Sequence, residues 1–143
     1  MINNLSMWWI YALLSAFFAA LTTILAKIGV EGISANLATA IRTVIILLMA
    51  WSIVWIEGSY RSLHQIPYRP IFFIILSGIT TGFSWLFYFK SLQIGEASLV
   101  SPIDKSSVVL VLLMSAIFLG EALTWKAILG TLFVLGGILI LIL

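Results

Sequence analysis

Arg42 is a permanently charged residue inside a long apolar segment, where its side chain requires a compensating interaction. Residues 37–56 around it are mostly apolar, and an arginine at the centre of a membrane helix costs roughly 2.5–3.5 kcal/mol on insertion scales. Ionisable residues in such positions face a water-filled cavity, a partner charge or a ligand. The sequence therefore predicts either a polar path in which Arg42 contacts a solute, or a structural ion pair with Asp104.

Two further charged residues lie within or near apolar segments. Lys27 precedes Glu31 by four residues, so it pairs with that carboxylate, extends to the membrane interface, or contacts a solute. Asp104 follows Ser101 and Pro102, which predicts a helix capped by Ser101 with the proline in its first position. The alternative is a helix that begins earlier and that Pro102 interrupts, freeing backbone groups beside a cavity.

A face that bears hydroxyl groups and aromatic rings runs along the third apolar segment at helical spacing. This face fits the wall of a polar cavity. It also fits a helix–helix seam, because Gly78 and Gly82 form a GxxxG pattern that allows membrane helices to approach closely. The first apolar segment adds the hydroxyl of a tyrosine. The candidate solute contacts are therefore Arg42, Lys27, Asp104, Tyr11, Ser77, Thr81, Ser84, Trp85 and Tyr88.

The composition requires a membrane as the main solvent. Of 143 residues, 63% are hydrophobic and 8% are charged, whereas soluble domains carry about 25% charged residues. The lack of cysteine excludes disulfides and thiolate metal sites, and a single histidine leaves no histidine cluster for a metal. A net charge of +2 without a basic run gives no reason to expect nucleic acid. No carboxylate pair, Ser–His–Asp set or phosphate loop indicates catalysis, so we expect neither an enzyme nor a cofactor.

Five apolar segments, each near the roughly 20 residues that cross a bilayer, predict an all-α membrane protein with five transmembrane helices in one domain, 1–143. The expected helices cover residues 8–28, 35–56, 70–89, 99–119 and 125–143. Glycines follow the first and fourth helices, and Thr124 is expected to cap the fifth. The leader before Trp8 carries no Lys or Arg, so we expect a retained helix and not a signal peptide.

Positive charge is divided almost evenly between the two sides of the membrane. An odd number of helices places the termini on opposite sides. The side of the N-terminus then carries three cations, and the other side carries two to four, depending on whether the deeper ones are counted. Charge therefore favours neither orientation, so either both are populated or another factor selects one.

The order of several motifs resembles the EamA-type members of the drug/metabolite transporter superfamily. The resemblance rests on residues 12–27 with their terminal Ala-Lys pair, on Arg42 early in the second helix, and on residues 88–137. This last stretch reads YFKSLQIGEASLVSPIDKSSVVLVLLMSAIFLGEALTWKAILGTLFVLGG, with SPI near the start of the fourth helix and GE after it. The resemblance covers nearly the whole chain.

The resemblance implies half of a ten-helix transporter that consists of two inverted five-helix halves. It implies transport of small metabolites, amino-acid-like or other small organic solutes, by alternating access across the inner cell membrane, with a site where the halves meet. A chain of this length would then act as an antiparallel, dual-topology homodimer. Gly130 and Gly137 give the fifth helix a flat stripe suited to that interface, and two cations favour a solute with a carboxylate or phosphate.

Other functions fit the same composition. The chain could be a non-transporting membrane subunit of a hetero-complex such as a lipid-carrier flippase, a multidrug efflux protein, or a purely structural bundle. Four-helix small multidrug resistance relatives use a carboxylate in the middle of helix 1, but here no acidic residue precedes Glu31, which argues against drug–proton antiport by that mechanism. If protons are coupled, Asp104 is the only carboxylate within a predicted helix.

Overall fold

The computed structural model describes residues 7–143, and this part of the chain is built from helices without strands. Five helical segments are long and apolar enough to cross a membrane, which confirms the predicted all-α membrane protein with five spans. Residues 1–6, most of the leader, lie outside the described part. The helices are α1 (Trp8–Gly29), α2 (Ala35–Glu57), α3 (Tyr68–Ile94), α4 (Ala97–Asp104), α5 (Ser107–Met114) and α6 (Trp125–Ile142).

Two shorter elements complete the helical structure. A 3-10 helix, Ser59–Gln65, follows α2, and a π-helical turn, Ser115–Leu119, continues α5. The fourth span therefore consists of α4, α5 and the π-helical turn, over Ala97–Leu119.

The chain divides into two compact units, Met1–Ile94 and Gly95–Leu143. In the first unit, α3 packs against α1 and α2. In the second, α6 packs against α4 and α5. Most apolar side chains on the spans are exposed, as expected for helices whose outer faces meet lipid chains that are as apolar as leucine. A single domain over residues 1–143 stays a prediction.

Side-chain caps and glycines define several helix ends. The Ser34 hydroxyl accepts a hydrogen bond from the Leu37 N–H at 3.2 Å and begins α2. The predicted Thr124 cap is confirmed, since its hydroxyl accepts from the Ala127 N–H at 3.2 Å. Gly120 ends the fourth span with a φ of 69°, a left-handed conformation that glycine adopts without steric cost.

The third helix is longer than predicted, extending to Ile94 instead of ending at Phe89. Its last turn stays helical because it is fixed by tertiary contacts. The Leu92 side chain is fully buried, and the Leu92 carbonyl accepts a hydrogen bond from Lys27 Nζ at 2.6 Å. Polar residues in this turn therefore do not end the helix.

The predicted cap at Ser101 is wrong, and the fourth span follows the alternative in which a proline lies inside the helix. The Glu96 carbonyl accepts from the N–H groups of Leu99 and Val100 at 3.1 and 2.9 Å, so α4 is already formed before Pro102. Proline has no N–H to donate to the carbonyl four residues earlier. The α-helix stops at Asp104 and resumes at Ser107.

Candidate functional site

The Arg42 guanidinium lies over two aromatic rings of α3. Its central carbon is 4.3 Å from the Trp85 ring centroid and 5.4 Å from that of Phe89. These two rings are four residues apart and therefore share one face of α3. A cation over such a ring is stabilised by roughly 0.5–2 kcal/mol, with the larger value for desolvated pairs. Within residues 7–94, neutral aromatic faces rather than a carboxylate thus hold the charge in place.

Arg42 also lines a cavity of about 320 Å³ within the first unit. Its walls come from α1, from the loop before α2, from α2 and from one ring of α3. The volume is at the lower end of the roughly 300–1,000 Å³ typical of ligand pockets. The cavity therefore suits a small solute. The lining residues are Thr22, Leu25, Ala26, Gly29, Ile33, Ala38, Ile41, Arg42 and Phe89.

The N–H groups of Arg42 have no acceptor within residues 7–94. No carboxylate of these residues forms an ion pair with it, and its contacts there are the two aromatic rings. In the described part of the chain, every buried side-chain nitrogen or oxygen has a hydrogen-bond partner. Because the guanidinium nitrogens of Arg42 have none within residues 7–94, they are accessible rather than enclosed. Such donors are free to bind an anionic group that enters the cavity.

Tyr88 links α3 to α1 through a hydrogen bond. Its hydroxyl oxygen lies 2.7 Å from Thr23 Oγ1, and Thr23 donates its single hydroxyl proton to the Ala19 carbonyl at 2.9 Å. Tyr88 is therefore the donor to Thr23. The bond fixes the register of α3 one turn from Trp85, and so helps to present the aromatic rings to Arg42. A direct solute contact for Tyr88 stays a prediction.

Lys27 and Gln93 connect the end of α3 to the segment between α1 and α2. Lys27 donates to the Leu92 carbonyl at 2.6 Å, a favourable position for a cation near a helix C-terminus. Gln93 Nε2 donates to the Ile33 carbonyl at 2.5 Å. Both residues line a second cavity, of about 270 Å³, together with Glu31 and its neighbours. Lys27 thus has a structural contact, and its role toward a solute stays a prediction.

The hydroxyl-bearing face of α3 is exposed on this chain. Ser77, Thr81 and Ser84 are all exposed, and the Thr81 hydroxyl donates to the Ser77 carbonyl at 2.8 Å. Within residues 7–94, no atom of a neighbouring helix lies within 4 Å of a Cβ placed on Gly78 or Gly82. Tyr11 on α1 is likewise 68% exposed. The two readings of this face, cavity wall and helix seam, stay predictions.

The second unit holds Asp104 and the glycines of α6. Asp104 Oδ2 lies 3.1 Å from the Nζ of its neighbour Lys105, where α4 ends. A pair between Asp104 and the arginine of α2 stays a prediction, because the two residues belong to different units. Gly130 and Gly137 are exposed, so the flat stripe on α6 is not covered within Gly95–Leu143.

Phe89, the second ring beside Arg42, was not anticipated from the sequence. Phe89 is four residues after Trp85, so this spacing would have identified Phe89 once Trp85 was known to face the arginine. Thr22 shares a helical face with Ala26 and Gly29, and the small side chains of that face leave room for the cavity.

Comparison with known proteins agrees with this architecture. The chain is 46% identical over 134 residues to a Sinorhizobium protein described as an uncharacterized transporter in the cobO 3' region, covering 94% of this chain and 95% of that relative. No solved structure matches at a significant level. Residues 6–143 match the EamA-like transporter family, which is a transporter class and not an enzyme class. With its five spans, the chain is a multi-pass membrane transporter, and it belongs to the EamA-like transporter family of the drug/metabolite transporter superfamily.

Proposed function

We propose that this transporter moves a small organic solute across the inner cell membrane by alternating access, with the Arg42 guanidinium as the anchor for the solute. The observation that carries the proposal is an arginine inside a span, held on two aromatic rings beside a cavity of about 320 Å³ and without an acceptor within residues 7–94. An anion in that cavity offsets the cost of placing a charge in the membrane.

The same proposal includes an antiparallel homodimer in which each chain is one five-helix half. The match covers 95% of the relative from Sinorhizobium, so that relative also has about the length of one five-helix half. Two surfaces on the described part of the chain are available for a second copy: the α3 face around Gly78 and Gly82, and the α6 stripe of Gly130 and Gly137. The even distribution of cations permits both orientations.

Uptake by proteoliposomes tests the role of Arg42. The purified protein would be reconstituted and offered labelled carboxylates, amino acids and phosphate esters. Arg42→Gln keeps a polar side chain of similar length but removes the charge, and we expect it to abolish uptake while the protein stays folded and inserted. Arg61→Gln is the matched control, because Arg61 lies outside the spans in the 3-10 helix and contacts Tyr60. Wild-type uptake by Arg42→Gln would contradict the proposal.

Orientation tests the dimer separately. A reporter that distinguishes cytoplasm from exterior would be fused after Leu143, and both populations would be quantified in cells. Comparable populations support an antiparallel homodimer. A single orientation rules that dimer out and leaves the Arg42 site to be completed by a different partner or by this chain alone.

A further inference from the structure

The charge that the first unit contributes to the Arg42 cavity is one-sided. Among the nine described residues that line it, Arg42 is the only charged one and Thr22 the only one with a hydroxyl. The remaining wall is aliphatic, aromatic or glycine. An ammonium group entering this space would meet the guanidinium as a like charge and find no carboxylate among these nine residues, which is unfavourable.

A second negative charge on the solute is also unmatched. A phosphate ester carries up to about two negative charges near pH 7, but only one cation lines this cavity. Lys27 lines the neighbouring cavity instead, where it donates to the Leu92 carbonyl. A single carboxylate, by contrast, fits a guanidinium with two parallel hydrogen bonds.

We infer that the solute of this site is a small monocarboxylate with an apolar body and no ammonium group, an inference that rests on the proposed function of Arg42. The carboxylate binds the open N–H edge of the guanidinium. The apolar body packs against Leu25, Ile41 and the Phe89 ring, and the Thr22 hydroxyl is available to one further oxygen of the solute. A cavity of about 320 Å³ lies at the lower end of the range for ligand pockets, which favours small acids.

A matched set of four compounds tests the inference, since all contain the same 3-methylbutyl unit and differ in their polar groups. The compounds are 4-methylpentanoate, L-leucine, 3-methylbutylamine and 4-methylpentanamide. Binding would be measured by calorimetry on the full chain in lipid nanodiscs, for wild type, Arg42→Gln and the control Arg61→Gln. We expect 4-methylpentanoate to bind at least about tenfold more tightly than the other three, because a charge-assisted hydrogen bond is lost or an ammonium is left unmatched.

Arg42→Gln should reduce the affinity for 4-methylpentanoate to that of the neutral amide, and Arg61→Gln should leave it unchanged. If L-leucine binds as tightly as 4-methylpentanoate and Arg42→Gln weakens both, the substrate class is wrong but the Arg42 anchor stands. If none of the four binds while Arg42→Gln abolishes uptake of another solute, the substrate class is again wrong and the Arg42 anchor again stands. If Arg42→Gln changes neither binding nor uptake, both the inference and the proposed function fail.

Discussion

Trp85→Leu removes the aromatic ring nearest to the Arg42 guanidinium, whose central carbon lies 4.3 Å from the indole centroid. Leucine keeps an apolar side chain on α3 but has no ring to attract the cation. A cation–π contact contributes roughly 0.5–2 kcal/mol, which corresponds to about a 2- to 30-fold change in an equilibrium constant. We expect solute affinity to fall within that range, because the guanidinium is no longer held facing the cavity.

Trp85→Phe and Trp9→Leu are the controls for this prediction. Phenylalanine retains a ring under the guanidinium, so it should preserve most of the affinity. Trp9 is 51% exposed on α1, so Trp9→Leu removes an indole without touching the site. The assay is solute binding or uptake, paired with detergent or SDS unfolding to check stability. Equal affinity loss in Trp85→Leu and Trp85→Phe would refute the aromatic-support reasoning.

Three further substitutions test the local contacts. Tyr88→Phe removes the hydrogen bond donated to Thr23 and should lower the free energy of unfolding by about 0.5–1.5 kcal/mol, and an unchanged unfolding curve would count against that bond. Thr124→Ala removes the cap of α6 and should cost about 1 kcal/mol, which Thr124→Ser should largely restore in the same measurement. Pro102→Ala supplies an N–H that the Ser98 carbonyl can accept and should slow amide hydrogen exchange in the turn after α4. Unaltered exchange there would show that the proline does not cause the interruption.

The number and approximate position of the spans follow from the sequence because the bilayer imposes one length and one polarity on each of them. The Thr124 cap follows too, since it depends on a hydroxyl within one turn of the residue it caps. The start of the fourth span did not follow. Ser101-Pro102 is a good local start signal, yet α4 already begins at Ala97, and local rules do not decide between two adjacent starts.

The Arg42 site was predictable only in part. Arg42 stands out because it is charged within an apolar helix, and Trp85 was named as an aromatic contact on α3. The aromatic support of the guanidinium and the Tyr88–Thr23 bond depend on how α1, α2 and α3 are rotated against one another. Helical spacing gives the faces of each helix but not which faces meet, so Phe89 was not identified.

The energetics of Arg42 connect its aromatic contacts to transport. A central arginine costs roughly 2.5–3.5 kcal/mol in the membrane, and a cation–π contact offsets only roughly 0.5–2 kcal/mol of that. No ion pair within residues 7–94 supplies the rest, so we expect water or an anion to stabilise the guanidinium. Closing the site without a solute would remove hydration from the charge, whereas closing it over a carboxylate buries a hydrogen-bonded pair. The loaded carrier should therefore change access faster than the empty one, and exchange of internal for external solute should be faster than net uptake.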